Sequence, residues 1–131
     1  YLSPEGFSEP DAVDARSDLY AVGVLGYELL AGVLPFAATS LPALCHQHLF
    51  VAPPPLPESV PADVADVVLR CLAKDPADRP ASAADVARLL KAAAAGWTDE
   101  DAARWWTHVP PPASAAPFDD SETLEIRPPA L

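Results

Sequence analysis

The sequence has no methionine, two cysteines, five glycines and only eight basic residues against nineteen acidic ones. Each shortage excludes something. A net charge of −11 argues against nucleic acid or an anionic membrane as partner, because both recruit proteins through basic patches. The acidic excess reads as solubility rather than as a site. Cys45 and Cys71 each sit inside an apolar helical pattern, with no Cys-x-x-Cys and no Cys/His cluster. They are read as reduced, buried thiols of a cytoplasmic protein rather than as a disulfide. His46 and His48 lie two apart and so point to different faces of a helix. With no further ligands nearby they are read as surface or rim residues, not as metal ligands. No signal-peptide pattern is read at the start.

What is present is one domain's worth of chain, 131 residues, half of them apolar. The 17 prolines cluster at Pro53 to Pro61 and again from Pro110 onward. Leu19 to Phe36 is long and apolar enough to raise a membrane span. Glu28 lies within it and Pro35 ends it, so it is read as a buried core helix. Asp14 and Ser17 offer themselves as its N-caps, and Gly32 as its left-handed stop near Leu30. Gly23 and Gly26 weaken that helix, which implies that something packs close to them. Their spacing is not that of a phosphate loop.

A short amphipathic helix follows, with Leu41, Leu44, Cys45, His48 and Leu49 on one stripe. The segment from Val51 to Pro61 is too proline-rich for helix or central strand and reads as an extended surface linker. Val64, Val67, Val68, Cys71 and Leu72 fall on one helix face. Pro76 and Pro80 then break the chain. Ser82 with Asp85 makes a capping box for a helix that turns Val86, Leu89, Leu90 and Ala93 inward, and Gly96 closes it. Thr98 caps one more helix, whose Trp105 and Trp106, with Trp97 before it, are expected to dock onto the preceding helices. The tail from His108 is rich in proline, alanine, serine and acid and is expected to be disordered. The reading is all-α, about five helices with no strand pattern and no repeat.

In order, these pieces resemble a known family. Tyr1-Leu2-Ser3-Pro4-Glu5 is similar to the Ala-Pro-Glu motif that ends the activation segment of protein kinases, with Ser3 in place of alanine. Asp14 to Phe36 resembles the central helix of the kinase C-terminal lobe. Cys71 to Ala83, which contains Asp75-Pro76-Ala77-Asp78-Arg79-Pro80, resembles the arginine loop before that lobe's last helix. The likeness covers Tyr1 to about Ala94 and has the flavour of bacterial eukaryotic-like serine/threonine kinases.

The resemblance implies a helical C-terminal lobe, a partial kinase domain, at residues 1–96, an extra helix at 97–107 and a disordered Pro-rich acidic tail at 108–131. It implies a buried ion pair between Glu5 and Arg79. Asp18 would support the catalytic-loop backbone, with Gly23 in the glycine position five residues later. Tyr1, Leu2 and Ser3 would be the stub of the substrate-contacting loop, and Leu41 to Leu49 a helix often used to dock partners. The intact parent would be an ATP- and Mg-dependent serine/threonine protein kinase acting on protein substrates.

The Gly-rich loop, strand lysine, His-Arg-Asp loop and Asp-Phe-Gly element that such chemistry needs do not occur in this sequence. The expectation is therefore the middle and end of a protein, whose partners include the missing N-terminal kinase segments. This chain alone is expected to be inactive, with no catalytic, cofactor or metal residue of its own. Part of its central helix is expected to be uncovered. The alternative is a non-catalytic, kinase-derived helical interaction module. In the tail, Thr123 stands three residues before Ile126 among acids, a spacing similar to ligands of phosphothreonine-reading forkhead-associated domains. An ordinary acidic tail is the alternative that so short a motif favours.

Overall fold

The computed structural model describes residues 2–8 and 10–108. Six α-helices lie among them: α1 (Pro4–Ser8), α2 (Ala15–Ala31), α3 (Leu41–Phe50), α4 (Ala62–Cys71), α5 (Ala83–Ala93) and α6 (Asp99–His108). Short 3₁₀ turns occupy Pro10–Ala12 and Pro76–Asp78, and no strand occurs among the described residues. The chain divides into two compact units, Tyr1–Gly96 and Trp97–Leu131.

The chain's own caps set the helix limits. Asp14 accepts from the Arg16 N–H and opens α2. Ser17, the other expected cap, instead lies buried in the first turn. Gly32 closes the helix at φ 72°, its N–H donating to the Glu28 carbonyl, a conformation that suits glycine because it has no Cβ. Ser40 caps α3 and Ser82 caps α5. The Ser82 hydroxyl accepts from the Asp85 N–H at 3.1 Å and donates to the Asp85 carboxylate at 2.9 Å. The segment holding Glu5 is the five-residue helix α1.

The core of the first unit is α2 packed on α4, with α4 packed in turn on α5. Tyr20, Val24 and Tyr27, spaced i, i+4, i+7 on α2, meet Phe36, Val68 and Leu72. Leu19 joins Val67, Cys71 and Val86 in an adjoining cluster. Leu56 packs against the first cluster, so the proline-rich linker carries one core residue across the surface. On α3 the expected stripe is only half inward: Leu44 packs on the core, whereas Leu41 is 70% exposed.

Buried-core character holds for one face of α2. Val22, Leu25 and Leu29, on its far side, are 46%, 50% and 76% exposed, an open apolar stripe on a helix that is apolar all round.

In the second unit, Thr98 and Asp101 cap α6 reciprocally: the Thr98 N–H donates to the Asp101 carboxylate, and the Asp101 N–H to the Thr98 hydroxyl. The helix reaches His108, one residue beyond the expected 107. Trp97 is 58% exposed. The docking expected of Trp105 and Trp106 falls on side chains outside the described ones. The rest of the expected tail, Thr123 included, lies outside the described residues.

Candidate functional site

Glu5 and Arg79 are 74 positions apart in sequence and in direct contact. Glu5 stands in the first turn of α1, and Arg79 leaves the turn Pro76–Asp78 just before Pro80. Arg79 Nη1 donates to Glu5 Oε1 at 2.7 Å, and Nη2 donates to Oε2 at 2.8 Å. The two parallel bonds are the planar fork-on-fork geometry that arginine offers and lysine does not. The side chains are 0% and 8% exposed.

The other guanidinium hydrogens are also used. Nε donates to the Ala73 carbonyl at 2.9 Å, Nη1 to the Arg16 carbonyl at 2.8 Å and Nη2 to the Lys74 carbonyl at 3.1 Å. All five donors of the side chain have acceptors. The Arg79 guanidinium also lies 5.1 Å from the centre of the Tyr20 ring. Ser17 is a third member that sequence reading missed: its hydroxyl donates to Glu5 Oε1 at 2.5 Å. These bonds favour the charged carboxylate. The Arg79 hydrogen bonds, against the opposing effect of burial and with help from Ser17, hold Glu5 down at about 2. A charge pair so fully satisfied ties α1, the start of α2 and the α4–α5 connection together; it has no proton to exchange at neutral pH.

Asp18 lies in the first turn of α2 and is exposed. Gly23 is covered by α4. A Cβ placed on it would stand 2.9 Å from the Cys71 Cβ and 3.1 Å from the Leu72 Cγ, so only glycine lets the helices approach this closely. Gly26 faces Val68, where a Cβ would meet a methyl at 3.3 Å. Leu2 is 53% exposed. Ser3 is buried, its hydroxyl accepting from the Gly6 N–H at 3.4 Å. Tyr1 lies outside the described residues. Cys45 and Cys71 are free thiols; Cys71 is buried and Cys45 only partly so.

A second polar cluster corrects the reading of His48 as a surface or rim residue. His48 is 7% exposed, and its Nδ1 lies 2.9 Å from the Tyr20 hydroxyl. Lys74 Nζ donates to the His48 carbonyl at 2.6 Å, to the Gln47 carbonyl at 3.1 Å and to the Tyr20 hydroxyl at 3.4 Å. It also sits 4.2 Å from the centre of the Phe36 ring. Burial, then the Arg79 charge, lowers Lys74 to about 8. Burial pushes the Tyr20 hydroxyl up, and burial followed by the Lys74 charge pushes His48 down. On a helix that is apolar all round, nothing in the sequence marks the Tyr20 face as the buried one. Lys74 has no local signal: one residue in a loop, 26 positions from the carbonyl it caps.

No group of three or more His, Cys, Asp or Glu residues that could hold a metal occurs among the described residues. No helix among them is long and apolar enough to cross a membrane. The residues at hand do not fit Mg-ATP: the carboxylate beside the arginine is spent on it, and the motifs that cradle phosphate in kinases are not in the sequence.

The chain belongs to the protein tyrosine and serine/threonine kinase family, whose model matches residues 1–89. Among its relatives, the serine/threonine-protein kinase pkn3 of Myxococcus xanthus is 44% identical over 88 residues, 63% of this chain and 16% of the relative. The serine/threonine-protein kinase PknA of Mycobacterium tuberculosis is 36% identical over 117 residues, 89% of this chain and 26% of the relative. PknB of the same species is 43% identical over 91 residues, 66% and 14% respectively. The chain thus spans about a quarter or less of the length of these relatives.

Proposed function

We propose that the chain serves as the C-terminal part of a kinase domain that transfers the γ-phosphate of Mg-ATP to serine or threonine of protein substrates. The observation that carries this reading is the family match over residues 1–89, in which every relative named above is a serine/threonine-protein kinase. The chemistry of such a transfer is mostly positioning and charge stabilisation. The contribution of these residues is positional. The Glu5–Arg79 pair fixes the start of the chain, where Leu2 and Ser3 would lead in from the substrate-contacting loop. Asp18, exposed at the head of α2, is free to receive the backbone of a catalytic loop, and Gly23 keeps α2 seated on α4 beneath it. The open stripe Val22–Leu25–Leu29 is the apolar surface that the remaining lobe segments would cover. ATP and Mg would be held by those other segments, and the site of action is the cytoplasm, to which two free thiols are suited.

For the tail, an ordinary acidic segment is the reading so short a motif favours, and the alternative put to test is that the intact kinase phosphorylates Thr123 for a phosphothreonine-reading domain. What supports it is the acidic stretch around Thr123 with Ile126 three residues on.

The test is a chimera in which residues 1–96 replace the matching segment of PknA. Transfer of labelled phosphate to a generic protein substrate is the expected result, and its loss on Asp18→Ala the expected control. A chimera that folds, binds ATP and transfers nothing overturns the reading. Mass spectrometry of the autophosphorylated kinase, with the tail attached, tests Thr123 separately.

A further inference from the structure

The only buried residue of α3 is a histidine. Its apolar ends, Leu41 and Phe50, are 70% and 71% exposed, and Leu44 reaches the core only in part. What seats this helix is polar. Lys74, from the α4–α5 connection, donates to two carbonyls in its last turn. Tyr20, from α2, meets the His48 ring.

The proton positions follow from the donors. An ammonium only donates, so the Tyr20 oxygen accepts from Lys74. Its own O–H is then directed at His48 Nδ1, the ring nitrogen 2.9 Å away. In that arrangement Nδ1 is an unprotonated acceptor, and the imidazole is neutral with its hydrogen on Nε2. A second proton would turn Nδ1 into a donor, so that the Tyr20 oxygen received N–H groups from both His48 and Lys74 and its own O–H lost the acceptor it has on the ring. It would also add a cation beside Lys74, whose Nζ is 2.6 Å from the carbonyl of His48 itself.

The surroundings do nothing to soften that charge. Phe7 of α1 and Phe36 of the α2–α3 connection face the ring at 6.3 and 5.0 Å between centroids. Lys74 and Arg79, both positive, come from the α4–α5 connection. Glu5, the nearby acid on α1, is committed to Arg79 and Ser17. On α3 itself the other titratable side chains are His46, exposed, and Cys45.

We propose that Tyr20, His48 and Lys74 form an acid-sensitive latch: protonation of His48 releases α3 from the lobe while α2, α4 and α5 stay packed. The latch shares only Tyr20 with the core cluster beneath, whose members Val24, Tyr27, Val68 and Leu72 lie on α2 and at the end of α4 rather than on α3. The direction of the titration agrees with the geometry. His48 is pushed below its ordinary 6.5 in the folded chain. The stability it contributes is therefore complete above 6.5, and is lost as the pH falls from there through the lowered folded value.

The test is hydrogen exchange on the full 131-residue chain at pH 7.5 and pH 5, corrected for the intrinsic rate. The amides of Leu44 to Val51 in α3 are compared with those of Val67 to Cys71 in α4. The expected result is a loss of α3 protection of about tenfold or more in acid with α4 unchanged, the signature of local rather than global opening. Both helices losing protection together, or neither, overturns the proposal. His48→Gln is expected to abolish the acid-specific loss, whereas His46→Gln on the same helix is expected to keep it; a loss that persists in His48→Gln is contrary. Should His48→Gln fail to fold, the His48 ring resonances of the wild-type chain decide. Their titration midpoint must coincide with that of the α3 opening, and a separation of the two refutes the latch.

Discussion

Gly23 of α2 lies against Cys71 of α4 with no room for a side chain, a Cβ there standing 2.9 Å from the Cys71 Cβ. Two consequences oppose each other in a Gly23→Ala variant. Alanine favours the helix by about 1 kcal/mol. The methyl overpacks the α2–α4 contact, and overpacking destabilises by about 1–3 kcal/mol. Because the nearest atoms are a Cβ and a backbone carbon rather than a flexible chain end, overpacking is expected to win. The urea midpoint of the variant should fall, and an unchanged or raised midpoint would show that the helices can part without penalty.

Arg79→Ala strands the Glu5 carboxylate and leaves three backbone carbonyls without their donor. The expected loss of stability is about 3–5 kcal/mol, the range for breaking a buried pair from one side. Arg79→Lys should recover little of it, because three donors on a point charge cannot replace five in a plane. Equilibrium denaturation of both variants in the chimeric kinase domain measures this. Equal stability of wild type and Arg79→Lys would contradict the role given to the fork.

The same pair sets an acid limit. The folded Glu5 titrates at about 2, below its ordinary 4.5. Its contribution is complete above 4.5 and is lost as the pH falls through about 2. Glu5→Gln should be less stable than wild type at neutral pH and should converge with it toward pH 2. Parallel pH profiles would place the acid sensitivity elsewhere.

The open stripe of α2 predicts self-association of the isolated chain. A double replacement, Leu25→Gln with Leu29→Lys, should lower the sedimentation-derived mass toward that of a monomer. Stability should stay within about 0.5 kcal/mol, as for surface sites in general. A monodisperse monomer for the wild-type chain at the same concentration would refute the prediction.

The chain by itself should neither bind Mg-ATP nor transfer phosphate, because the groups that would hold nucleotide and metal are not among its residues. Calorimetry with Mg-ATP should show no heat of binding. Measurable affinity would require a nucleotide site unlike that of the family.

Local chemistry made much of the molecule readable from its sequence. Asp14, Ser40 and Ser82 carry their helix starts in a single side chain, and Gly32 its stop in a backbone conformation. The faces of α4 and α5 follow from apolar residues three and four apart. Other features depend on partners far along the chain. Ser17 reads as a cap beside Asp14, but a carboxylate twelve positions away claims its hydroxyl. His48 reads as a rim residue on a weakly patterned helix, yet Tyr20 and Lys74, 28 and 26 positions off, make its burial tolerable by filling its polar valences. Sequence periodicity reports which face of a helix is apolar. It does not report what covers that face, and so α2 looks the same from its sequence whether Leu29 meets a neighbour or water. Only the packing of α2 on α4 decided that its Tyr20 face is the buried one.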